Sequence, residues 1–364
     1  MCAWVSSSSA EPTGPTTEDA TASGASSVWA EVWKSVYPST KWYLHYEAGR
    51  RGGESLQRFH VSRGYLTLKL KPTAWFQPRI TMDAHQDDTG DWKMRLKYLH
   101  AKLVAPVETA VVTKPSLELG LAHVPWFDYE EHINDYRAEG KMPIERIGVL
   151  NSADLGVTAG ALLGEELPED YQERVSSKYP GAWGSLAFGL YNGGGYHAAE
   201  QNENKVFMSR LSLRPAGPAF PNLQLSHFFV YGKGNTAEQP KWWLHNFLMS
   251  VESEYVVVAG QAGVGRGNQA GDLVDEIGSA LHWAGWSTFA EVKLPWIMSS
   301  LIGRVDAYDW GSEGSFEPTH RFIAGHAFHF LPHNFLLASV DVVGRTDATP
   351  PDRQAKLTLQ VCYP

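Results

Sequence analysis

The sequence predicts an all-β protein: a 16-stranded antiparallel up-and-down barrel preceded by a flexible N-terminal segment. Three observations predict it. Apolar and polar residues alternate with period two from residue 40 to the end. The connections alternate between short turns and long polar loops. No strand–helix alternation of the kind that builds a doubly wound sheet appears. The composition fits: 34 Gly supply turns, and 14 Trp, 15 Tyr and 15 Phe supply large rings.

The first region is residues 1–38. Met1-Cys2-Ala3-Trp4-Val5 has neither the basic stretch nor the apolar run of a secretion signal. Residues 6–27 are rich in Ser, Thr, Ala, Pro and Gly and read as a flexible linker. In residues 28–37, Val28, Trp29, Val32, Trp33 and Val36 recur at helical spacing, which predicts a short amphipathic helix capping or plugging the barrel.

The barrel is expected over 39–364. Its strands are placed at 40–49, 57–72, 74–86, 91–104, 112–123, 148–163, 182–192 and 204–214. They continue at 222–232, 241–251, 253–263, 280–293, 295–308, 319–331, 335–345 and 354–363. Phe76–His85 shows the pattern clearly: Arg79, Thr81, Asp83 and His85 alternate with mainly apolar neighbours. In Trp92–Tyr98, apolar residues take the even positions, and Lys93, Arg95 and Lys97 the odd ones. Turns are short at 71–73, 252–253, 294–295 and 331–334. The other connections are long: 49–55, 85–91, 125–147, 192–205, 233–241, 263–276, 310–319 and 346–354. Short turns at one end and long loops at the other mark an up-and-down barrel. Residues 164–181 are an exception, a long connection on the short-turn side.

A barrel this wide, exposing one apolar face, needs a cover, and the sequence offers no helical layer. A bilayer covers it, because closure pairs every backbone group. Trp42, Tyr43, Trp75, Trp92, Trp126, Trp183, Trp242, Trp243, Trp283, Trp286, Trp296 and Trp310 fall near inferred strand ends, as aromatic girdles do. No apolar run is long enough for a transmembrane helix. The net charge of -9 argues against a nucleic-acid partner. Cys2 and Cys362 alone make neither a disulfide framework nor a zinc cluster.

Several stretches resemble Gram-negative outer-membrane porins, specifically the phosphate-selective group. They are Phe59–Lys69, Pro78–Asp83, Leu117–Phe127 leading into a loop with Tyr136-Arg137, Asn151–Val157, Phe188–Tyr196 and Arg210–Pro215. The resemblance spans roughly residues 40–363. It implies a 16-stranded, usually trimeric channel in the bacterial outer membrane, with lipid around it and small hydrophilic solutes inside. Members carry a secretion signal and usually end in an aromatic residue. Here Tyr363 precedes the final Pro364.

The polar phase of each strand faces the lumen, so it decides selectivity. Its basic members are Arg63, Lys69, Lys71, Arg79, Lys93, Arg95, Lys97, Arg210, Lys293, Arg304 and Arg345. They outnumber Asp83, Asp154, Glu291, Asp306 and Asp341. A positive wall favours anions, and the Lys93/Arg95/Lys97 row is the expected main ladder. The loop 125–147 is the expected constriction, with Asp128, Glu130, Glu131, Asp135 and Arg137 facing that wall.

Other chemistry is discounted. Glu130 and Glu131 are sequence neighbours that diverge, a poor acid–base pair. His326 and His329 point to opposite faces of a strand, so they share no metal. Gly260–Gly267 lacks the ending of a phosphate loop. The expectation is a passive diffusion channel for small, mainly anionic solutes, with no catalytic residue, cofactor or metal. The competing expectation is a soluble, secreted, Trp-rich β protein that binds or cleaves carbohydrate. A third is a closed structural barrel tethered or plugged by residues 1–38.

Overall fold

The computed structural model describes residues 33–87, 89–312, 315–316, 319–345 and 350–363. Its strands are β1 Val36–Arg51, β2 Glu54–Leu70, β3 Phe76–Gln86, β4 Trp92–Val104, β5 Val112–His123 and β6 Ala153–Leu163. Next come β7 Gly184–Tyr191, β8 Val206–Leu213, β9 Leu223–Lys233, β10 Lys241–Glu252, β11 Val256–Arg266 and β12 His282–Leu294. The wall ends with β13 Ser299–Ser312, β15 Thr319–Leu331, β16 Asn334–Arg345 and β17 Asp352–Tyr363. The two-residue β14, Ser315–Phe316, pairs antiparallel with the end of β13 just before β15 takes over that pairing. Successive long strands pair antiparallel, and β1 pairs with β17 from Thr40↔Tyr363 to Arg50↔Arg353. Sixteen long strands thus close a barrel.

The predicted strands match closely, and the differences are instructive. β1 starts at Val36, so the end of the expected helix is strand; residues 28–32 lie outside the described residues. The expected long loop at 49–55 is a two-residue turn at Gly52 and Gly53, with φ of 58° and 82°. Such a left-handed pair matches the twist of a tight hairpin. β6 starts at Ala153, not 148, because the preceding residues belong to an inward-folded connection.

The barrel is inverted relative to a water-soluble core. Leu66, Leu99, Leu119, Phe188, Phe247, Val258, Leu301, Phe322 and Val340 are exposed on the outer face. Asp83, Arg210, Asn246, Glu291, Asp306, Asp341 and Thr358 are buried on the inner one. An apolar belt of this extent calls for a non-aqueous cover. Tyr37, Trp75, Trp183, Tyr255, Trp296 and Tyr363 stand exposed at the short-turn rim. Four tryptophans depart from the girdle expectation: Trp126, Trp242 and Trp283 are fully buried inside, as is Tyr43, and Trp310, opposite Trp283, packs against the same interior cluster.

Two of the register shifts among the described strands lie on the wall facing the open cavity. Between β3 and β4, Thr81 pairs with Tyr98 but Met82 pairs with Leu96, leaving Lys97 as the extra residue. Beyond this bulge the phase reverses, so Tyr98 and His100 are buried on the inner wall although the sequence pattern assigns Tyr98 to the outer face. Between β1 and β2, Tyr43 pairs with Arg63 and Leu44 with Val61, leaving Ser62 extra.

Candidate constriction site

The connection between β5 and β6, residues 124–152, folds into the lumen. Its sequence explains why. Val124, Trp126, Phe127, Tyr129, Ile133, Met142, Ile144, Val149 and Leu150 are too apolar for a solvated loop, and all are nearly fully buried. The inner wall opposite offers Met208, Phe228, Val230, Trp242 and Leu244. Trp126 stacks on Phe228 with ring centroids 5.1 Å apart. Each such side chain contributes about 1.5–3 kcal/mol when buried. Helices α1, Phe127–Ile133, and α2, Pro143–Arg146, lie within this loop.

Polar contacts fix the loop's height. Tyr129 Oη lies 2.8 Å from Ser226 Oγ, and Tyr136 Oη donates to Glu291 at 2.6 Å. Arg146 donates to Asp306 at 3.0 Å, and Lys356 Nζ to Glu139 at 3.2 Å. From the short-turn side, the long connection 164–183, holding α3 Glu169–Arg174, meets the loop. Tyr179 packs on Tyr129 at 5.5 Å and donates to Asp128 at 2.8 Å. The loop thus fills the β8–β13 side. A cavity of about 200 Å³ remains on the other side, lined by Tyr43, His45, Glu47, His60, Arg63 and Lys356 of the wall and residues 137–141 of the loop.

The predicted basic residues fall into groups. Arg63 and Arg95 share Asp83, each at 3.0 Å, and Arg95 also donates to Tyr196 Oη at 3.1 Å. Arg79 donates to His123 Nε2 at 3.0 Å and lies over the Tyr98 ring. The bulged Lys97 sits against Tyr65, donating to its hydroxyl at 3.3 Å. Lys93 pairs with Asp87, and Lys71 stands over Tyr37 in the turn after β2. Lys69 is exposed within the lumen-facing phase of β2. Arg210 and Arg304 are roofed by the loop: Arg210 donates to Pro125 O at 3.0 Å and Arg304 to Lys141 O at 3.0 Å. They meet the loop rather than the open cavity. Arg345 ends β16, and its side chain lies outside the described residues.

The loop residues divide likewise. Glu131 and Glu145 both pair with Arg137, at 2.9 Å and through a two-pronged contact. Asp135 reaches Lys41 at 3.7 Å and His333 at 3.4 Å. Glu130 turns away from the cavity, accepting from Trp126 Nε1 at 2.7 Å and from Gln261. Burial pushes its carboxyl up to about 7. Burial likewise pushes His132, beneath Tyr179, down to about 3.

Lys141 belongs to the loop expected to form the constriction, but sequence reasoning missed Lys356, Arg321 and the histidines of β1, β2, β4 and β5. Period two would have found Arg321 and Lys356, which flank Asp341 on the inner face. No sequence signal gives the bulge that turns His100 inward.

No protein-family model and no curated protein matches the sequence. Solved structures do match in fold. An anion-selective porin from Comamonas acidovorans has 9% identity and a TM-score of 0.61, over 90% of this chain and 99% of that one. OmpF of Salmonella typhi in complex with daunomycin has 10% identity and a TM-score of 0.61, over 90% and 97%. The outer-membrane channel DcaP of Acinetobacter baumannii has 11% identity and a TM-score of 0.52, over 90% and 96%. The chain therefore has the porin fold.

Proposed function

We propose that the chain is a bacterial outer-membrane porin, a passive channel that prefers small anions, phosphate-like ones among them. The observation that carries the reading is the charge arrangement around the constriction. Of the inward carboxylates, Asp83, Glu145, Asp306 and Asp341 are each held by an arginine, while Asp154 and Glu291 accept hydrogen bonds from neutral groups. Among the described residues, no carboxylate lies within ion-pair distance of Lys69, Lys97 or Lys141. Arginine-held acids and unmatched lysines weight the lumen toward positive charge, which concentrates anions and repels cations. The apolar outer belt and the inward-folded loop support the membrane and channel parts of the reading. A homotrimer, implied by the family resemblance, belongs to the same proposal, and cross-linking in mild detergent tests it.

The test is planar-bilayer recording of the refolded chain in a KCl gradient. Discrete stable steps with a reversal potential on the chloride side are expected. Cation preference removes the anion part of the proposal. A chain that is folded and soluble without detergent and forms no channels removes all of it.

A further inference from the structure

We propose that the inner wall carries a Zn2+ site made by His100 of β4 with Glu118 and His123 of β5. Nothing in the channel reading requires it. One ligand atom from each residue lies within 4.8 Å of the other two. His123 Nδ1 is 2.9 Å from Glu118 Oε2, and His100 Nε2 is 3.8 Å from the same oxygen. A tetrahedral Zn2+ with bonds of about 2.0–2.1 Å holds its ligand atoms roughly 3.3 Å apart. The first two separations bracket that value, so small side-chain rotations seat the ion.

The surroundings prepare the ligands. His100 Nδ1 lies 3.4 Å from the Leu121 carbonyl, so its N–H points there and leaves Nε2 as a lone pair aimed at Glu118. A backbone carbonyl behind a ligating imidazole is the usual outer support of a metal site. Lys102 engages Glu118 Oε1 at 3.3 Å, which leaves Oε2 to the two imidazoles. All three ligands stand on paired strands, whose backbone holds them in place. Two imidazoles and one carboxylate with an open fourth position suit Zn2+ and neighbouring late first-row ions.

Arg79 is the competitor. It donates to His123 Nε2 at 3.0 Å, so the ring proton sits on Nδ1 and goes to Glu118. Metal entry displaces that Nδ1 proton and requires Nε2 to carry one instead, which turns Arg79 away. Arg79 therefore weakens the site, and removing it tightens binding. Bound Zn2+ would add positive charge beside the passage. That effect on conduction rests on the porin reading, whereas the binding itself does not.

The experiment uses the full-length chain without an affinity tag, refolded in detergent and stripped with chelator. Zn2+ is titrated by calorimetry, and Co2+ by its visible d–d absorption. One saturable site per chain is expected, with an intense tetrahedral Co2+ spectrum that Zn2+ bleaches. His100→Ala and Glu118→Gln each weaken binding at least about tenfold, and Arg79→Gln strengthens it. Unheated gel mobility verifies that each variant is folded, and the near-isosteric Glu118→Gln serves if His100→Ala is not. Absence of saturable binding overturns the proposal, as does binding that Glu118→Gln leaves unchanged or that Arg79→Gln weakens.

Discussion

At the scale of single residues, position matters more than charge count. Lys141 is exposed at the cavity, and its backbone carbonyl is fixed by Arg304. A unit charge acting on an ion 4 Å away is worth about 1 kcal/mol in water, a factor of about five in local occupancy. Lys141→Gln should therefore lower the anion-to-cation permeability ratio by up to about that factor, less at high salt. Arg304→Gln, beneath the loop, should change it less. Equal reversal potentials for Lys141→Gln and wild type would refute this assignment. Glu130 yields a prediction of the opposite kind. Burial raises its carboxyl to about 7, so its protonated form is the one the fold favours. Its contribution is full below the unfolded value near 4.3 and is lost as pH rises through about 7, on the order of 3 kcal/mol. Thermal stability should fall between about pH 4 and about pH 7, and Glu130→Gln should flatten that fall. An unchanged slope in the variant would assign the pH dependence elsewhere.

At the scale of elements, the inward loop decides how the barrel is divided, and one of its tethers is sensitive to pH. Asp135 meets His333, in the tight turn between β15 and β16, and the hydrogen bond to that carboxylate raises the imidazole above its usual range. A raised histidine contributes fully below about 6.5 and loses its contribution as pH climbs through the folded value. Open-channel noise from loop movement should therefore grow above neutral pH, and His333→Gln should show the noisier behaviour at every pH. A quiet variant would mean that Lys41 alone holds Asp135. Much of this architecture was legible in the sequence, because a strand half in lipid and half in water writes its period directly into the residues. Val112–His123 and Thr319–Leu331 begin and end where alternation places them. The inward fold of 125–147 was legible from its position, whereas the role of its rings was not, since Trp126 reads as a girdle residue in sequence. Nor were the loop's partners legible: that Glu130 faces Gln261 while Arg137 stays within the loop depends on the three-dimensional path. The bulge at Lys97 was equally hidden, since an extra residue in a strand looks in sequence like any other, yet it decides that His100 joins Glu118 and His123.

At the scale of the whole molecule, everything rests on closure. Each long strand has a partner on both sides, and β17 returns to β1 along nearly its full length. In a bilayer, an unpaired edge would leave a row of N–H and C=O groups without water, at several kcal/mol each. No gain elsewhere on the outer face compensates, because that face gives up only dispersion contacts that lipid supplies equally well. Closure should therefore be all or none. A chain ending before Asp352 exposes the edges of β1 and β16 together. It should give no compact fast-migrating band on unheated SDS gels and no stable conductance steps. Deleting residues 1–32 removes nothing from the wall, which starts at Val36, and should preserve both the band and the single-channel conductance. If that deletion raises the conductance instead, the N-terminal segment occupies the lumen, and the plug joins the loop as a second element that sets the size of the passage.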